Sequence, residues 1–130
     1  MMEKIVNNWI LLAEYDLETD YAMLEKKRYL YVPFTCQQSI EKILKAIFVK
    51  EKNETPPYTH NLLRLIDSLS FSSSMNEDQL RFLEKLNSYY IESRYTEEIH
   101  ELNQMLTPET SQQICQNTKE LFQWLKNKAG

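Results

Sequence analysis

Arg94, Asp16 and Asp20 are the residues whose placement points first to chemistry. At about 100° per residue, a helix running from Asn76 sends Leu80, Leu83, Leu86 and Tyr90 one way and sets Arg94 in the middle of that apolar arc. The same projection of the first helix gathers Ile5, Trp9, Leu12, Ala13, Leu17 and Met23 on one side, with Asp16 and Asp20 among them. Charge on a core face is costly unless paired. The spacing therefore predicts either a buried ion pair that locks the two helices together or a cleft lined by both signs. A guanidinium forks onto carboxylate or phosphate oxygens, so a ligand in such a cleft would be anionic.

His100 follows Arg94 by six positions, roughly 240° around an unbroken helix, so a shared site needs a break between them. Thr96, as the N-cap of a new segment, would supply it. A histidine beside an arginine can act as general base on a ribose 2′-hydroxyl while the arginine stabilises the charge on phosphorus; the alternative is a solvent-facing histidine between Glu98 and Glu101. His60, expected in the first turn of a short helix, is a second candidate, kept neutral there by the helix dipole. Gln37, Gln38, Glu41, Lys42 and Lys45 make a one-sided polar face, able to bind a base edge and phosphate or to stay solvated with Glu41 and Lys45 paired. Tyr89, Tyr90 and Tyr95 flank Arg94 and could stack on a base or fill the core.

These residues need helices to position them. A first helix is predicted over about 3–27. Pro33 then breaks the pattern, and a second helix follows over about 34–51 with Ile40, Ile43, Leu44 and Ile47 as its apolar stripe. Pro56 and Pro57 mark a loop, Thr59 is a plausible N-cap for a short helix carrying Leu62, Leu65, Ile66 and Leu69, and the serine-rich stretch 70–75 reads as a mobile connection. Asn76 with Gln79 has the arrangement of a capping box. A short segment through Ile99, Leu102, Met105 and Leu106 comes next. Thr107, Pro108 and Glu109 then open a last helix with Ile114, Leu121, Phe122 and Leu125 inward. The expected class is all-α, an up-and-down helical bundle of about five helices forming a single domain over 1–130.

Composition narrows the chemistry further. The one glycine, Gly130, leaves no glycine-rich phosphate loop, so phosphate must be held by side chains and helix N-termini. A net charge of −4 argues against broad binding to duplex nucleic acid. Cys36 and Cys115 are far apart and read as reduced structural thiols of a cytoplasmic protein. Two isolated histidines lack metal-ligand spacing, so neither a metal nor another cofactor is expected. Polar Glu3, Asn7 and Asn8 exclude a membrane span at the N-terminus.

Taken in order, Trp9, Ala13, Asp16 and Ala22; Phe34, Gln37, Gln38, Glu41, Lys42, Lys45 and Ala46; His60, Asn61 and Leu62; and Tyr90, Ile91, Arg94 and Tyr95 resemble the pattern of a HEPN domain. The resemblance spans nearly the whole chain. It implies a helical bundle, commonly a homodimer, that binds a nucleotide or RNA in a cleft near the dimer interface, with a minimal nucleotidyltransferase as partner in a toxin–antitoxin-like pair. Many HEPN proteins are metal-independent ribonucleases whose motif is an arginine followed shortly by a histidine. By carry-over Arg94 and His100 would be catalytic, Asp16 and Asp20 would orient Arg94, and Gln38, Lys42, Lys45, Tyr95 and His60 would contact ligand. Tyr95 gives the Arg-Tyr form, which resembles the branch in which nucleotide binding is inferred. Leu102 stands where some toxin members carry a tyrosine that the partner adenylylates. A structural or interaction module without catalysis is the third reading.

Overall fold

A computed structural model describes residues 2–129. Its elements are α1 (Met2–Glu25), α2 (Tyr31–Lys52), α3 (Leu62–Asp67), α4 (Glu77–Glu92), α5 (Ile99–Met105) and α6 (Pro108–Ala129), with single 3-10 turns at Ser72–Ser74 and Thr96–Glu98. No strand occurs among the described residues. The all-α bundle is as expected.

The centre of the bundle is α2. Helices α1, α3, α4 and α6 all pack on it, which is why Val32, Cys36, Ile40, Ile43, Leu44, Ala46 and Ile47 are fully buried. A helix enclosed on several sides has no solvated face to spare, so Gln37, Ser39, Glu41 and Lys45 are buried with them. This corrects the expectation of a one-sided polar surface. Pro33 does not end a pattern; it sits in the first turn of α2, where its missing N–H has no intrahelical partner to lose.

Local chemistry sets the other helix ends. Asn76 caps α4 through a complete capping box with Gln79, a motif worth about 1 kcal/mol. Thr107 accepts from the Thr110 backbone N–H at 3.1 Å, and Pro108 opens α6 as predicted. The N-cap of α3 is Asn61, not Thr59: Asn61 Oδ1 accepts from the N–H groups of Leu63 and Arg64. His60 consequently lies before the helix rather than in its first turn, and the dipole argument for it lapses. The serine stretch is a 3-10 turn held by buried Phe71 and Met75 on either side. Thr96 begins the second 3-10 turn; its side chain lies outside the described residues.

The buried face of α1 is turned relative to the projection. Val6, Ala13 and Asp20 are inside, whereas Ile5 and Leu12 are exposed. Leu11 and Tyr15 join them on an outer apolar stripe, 65% and 69% exposed.

Candidate ligand site around His60 and Arg94

The site is built outward from one buried carboxylate. Glu41, Gln37 and Lys45 are one helical turn apart on α2 and lie on one face. Glu41 Oε2 accepts from Lys45 Nζ at 2.9 Å. Its Oε1 accepts from Gln37 Nε2 at 3.1 Å and meets His60 Nδ1 at 2.8 Å. Three donors from three residues satisfy a carboxylate that is otherwise removed from water. Gln38 Nε2 extends the chain by donating to Gln37 Oε1 at 2.7 Å, and the Lys45 ammonium lies 5.7 Å from the centre of the Trp9 ring.

His60 is held at both backbone and ring. Gln37 Nε2 also donates to the His60 carbonyl at 2.8 Å. On its other side, the Leu62 N–H donates to Asn87 Oδ1 at 3.0 Å, and Asn87 Nδ2 donates to Asn61 Oδ1 at 3.0 Å, which docks the start of α3 on α4. With Glu41 Oε1 as the acceptor, the neutral His60 ring carries its proton on Nδ1, which leaves Nε2 as a free acceptor. The ring, 38% exposed at its side chain, lies 5.1 Å from the Tyr90 ring and 5.9 Å from that of Tyr58.

Tyr90 joins His60 to Arg94. Its hydroxyl accepts from Arg94 Nη1 at 3.0 Å, its ring centre is 5.4 Å from the guanidinium carbon, and Phe34 stacks on it at 5.5 Å. A cation, an imidazole with a free nitrogen and the nearly fully exposed Tyr58 ring therefore share one patch. That set can hold an anion and stack a planar group.

The predicted site residues divide accordingly. Arg94 lies beyond the C-cap of α4 at Ser93 and is exposed; it meets neither aspartate, which corrects the predicted ion pair. The helix ends before the projected arc reaches Arg94, so the core face never includes it. Asp16 pairs instead with Lys42, and Asp20 is buried elsewhere. Lys45 is committed to Glu41. Tyr95 is exposed next to Arg94, and His100 is exposed near the start of α5, beyond the break that the spacing required. Tyr58 and Asn87 were not singled out as site members, and Gln37, Glu41 and Tyr90 were read only as a polar face and a possible stacking ring, not as the groups that hold His60 and Arg94. The turn-by-turn spacing of Gln37, Glu41 and Lys45 was the available signal, read as an ordinary surface pair. A cavity of about 530 Å³ between α4 and α6, lined by Phe82, Asn117 and Trp124, holds none of these residues. No group of three or more His, Cys, Asp or Glu among the described residues could hold a metal ion. No described helix is long and apolar enough to cross a membrane.

A helical bundle centred on α2, with a polar site where the segment before α3 meets the end of α4, defines the class. The chain matches the HEPN domain over residues 6–128 and belongs to that family of nucleotide-binding and nuclease-type domains. Its fold is similar to the crystal structure of TT1696 from Thermus thermophilus, with a TM-score of 0.81 at 21% identity, covering 95% of this chain and 97% of that one. A comparison with curated proteins gives no significant match.

Asp20 occupies a separate polar junction between α1, α2 and α6. Thr35, Cys36 and Ser39 lie beside its carboxylate, but the two hydroxyls bond helix carbonyls instead, and both carboxylate oxygens are left without a partner. Burial, opposed only in part by those neighbours, pushes Asp20 up from 3.8 to about 7. The folded state thus keeps a proton that the unfolded chain releases near pH 4. Stability from this group is complete below that pH and is lost as pH rises to about 7, a loss on the order of 4 kcal/mol. Urea unfolding of parent and Asp20→Asn across this window should show the variant gaining on the parent as pH rises. A constant difference between the two would contradict the assignment.

Proposed function

We propose that this chain binds a nucleotide or RNA through a phosphate held by Arg94, with His60 and Gln38 as polar contacts and Tyr58 and Tyr95 as faces for a base. The observation that carries the reading is the continuous chain Arg94–Tyr90–His60–Glu41, in which buried groups hold exposed ones at a surface patch. Lys42 and Lys45, both engaged with carboxylates, position the site rather than grip ligand. Arg94 contributes no core packing, so its exposed guanidinium is available to an anion.

Membership of the HEPN family supports the finer reading that the chain works beside a minimal nucleotidyltransferase in a toxin–antitoxin-like pair. Co-purification with a nucleotidyltransferase encoded beside it tests that pairing. The outer apolar stripe of α1, Leu11, Leu12 and Tyr15, supports a homodimer; sedimentation showing only monomer at micromolar concentration would remove it. A second reading, ribonuclease action by Arg94 with His100, is favoured by one observation, the interruption of the helix between α4 and α5.

Titration of a fluorescent single-stranded RNA oligonucleotide tests the binding reading. Arg94→Ala should weaken binding about 10- to 100-fold, the loss of a charge-assisted contact, with little change in thermal stability. Equal affinity of variant and parent, or no binding by either, would overturn it.

A further inference from the structure

We propose that the groove between α4 and α6 is a docking site for an amphipathic helix of a partner protein, with an acidic side chain of that helix over Lys85 and a basic one over Glu120. The groove lies apart from the ligand site and holds none of its residues.

Helices α4 and α6 both pack on α2 and scarcely on each other, so the seam between them is open. Two cavities of about 530 and 400 Å³ lie along it and share Asp78, Phe82 and Asn117, which makes them one trough. From Asp78 to Tyr89 the trough runs roughly 16 Å, the length of about three turns of a helix laid beside α4.

Each wall carries an apolar row at helical spacing. On α4 the row is Phe82 and Tyr89, and on α6 it is Ile114, Leu121 and Trp124. Tyr89, Ile114 and Leu121 form a buried floor, while Phe82 and Trp124 stay half-buried above it. Trp124 is already held in place: the Phe71 ring meets it edge-on at 5.5 Å, and the Lys128 ammonium lies 4.7 Å from its centre. An aromatic anchor fixed before binding loses little freedom when a partner covers it.

Charge at the two ends selects the occupant. Beside Trp124, Glu120 accepts from Gln116 Nε2 at 3.0 Å through Oε1, which leaves Oε2 open. Beside Tyr89, Lys85 forms no ion pair among the described residues. Arg81, between them, is balanced by Glu77 and Asp78. A polyanion would meet carboxylates at one end, and a wholly apolar ligand would leave both charges unmatched. Neither wall offers a strand edge to an extended segment. A helix with acidic residues in its first turn and basic ones in its last, the order its own dipole favours, matches both ends when it lies antiparallel to α4.

The probe is a fluorescein-labelled peptide of about 15 residues, with leucine along one helical face, glutamate in the first turn and lysine in the last, titrated with the whole chain. Polarisation should give a Kd of about 10 μM or tighter. Amide NMR shifts should move along 82–89 and 114–124 and leave His60 and Arg94 unmoved. Lys85 is exposed, so Lys85→Glu should keep the fold and weaken the peptide about 10-fold; a peptide whose first-turn glutamates are replaced by lysines should regain the loss. No binding at about 100 μM, equal affinity for Lys85→Glu, or equal binding of a scrambled peptide of the same composition would overturn the proposal. Shifts gathered on Leu11, Leu12 and Tyr15 of α1 would overturn it too. So would a parent that sediments as an assembly where Lys85→Glu is a monomer, a result that gives the groove to a second copy of this chain.

Discussion

The carboxylate of Glu41 is the constraint on which the rest of the site depends. Surrounded by packed helix, it would cost several kcal/mol if left alone, and three donors from Gln37, Lys45 and His60 remove that penalty. Two of them come from the same helix and need only its regular rise. The third comes from the segment before α3 and requires that segment to lie against α2. The docking of α3 through Asn61 and Asn87 follows from the same demand, because His60 is the residue just before the cap. Side-chain chemistry at one point on α2 therefore sets the path of a loop and, through His60 and Tyr90, the surroundings of Arg94.

The second buried carboxylate shows what that arrangement avoids. Asp20 is as deeply placed as Glu41, yet its carboxylate has no hydrogen-bond partner, nor do the buried hydroxyls of Ser111 and Thr118 on α6. Burial raises its proton affinity. Buried carboxylates thus appear in two settings in one bundle: fully hydrogen-bonded where one holds a surface imidazole, and unpartnered with a raised proton affinity where three helices meet. Burial also pushes the Cys36 thiol at that junction well above its ordinary value, with contributions from Cys115 and Asp20. That matches inert structural thiols rather than reactive ones.

Much of the fold was legible in the residues. Periodicity located the long helices, Asn76 with Gln79 and Thr107 with Pro108 marked two helix starts, and scarce glycine excluded strand turns. The candidate site was only half legible. Gln38, His60, Tyr95 and Arg94 stood out by type, but the sequence does not say that α2 is enclosed, and enclosure turns Glu41 and Lys45 from a surface pair into the buried anchor of His60. Arg94 misled for a related reason. Projecting α4 onward assumed a helix that in fact ends at Glu92, so a residue read as facing the core lies outside it. Asp16 and Asp20 then lost their expected partner, one to Lys42 and the other to isolation. In each case a long-range contact decided the outcome, and periodicity carries no such information.

At the centre of the site, Glu41 fixes the His60 ring with its proton on Nδ1 and its Nε2 free. Long-range ¹H–¹⁵N correlation of the two histidine rings, recorded where they are neutral, tests this most directly. A single Nδ1–H tautomer is predicted for His60, lost in Glu41→Gln, and a mixture of tautomers for His100. An Nε2–H tautomer at His60 in the parent, or a ring unchanged by Glu41→Gln, would contradict it.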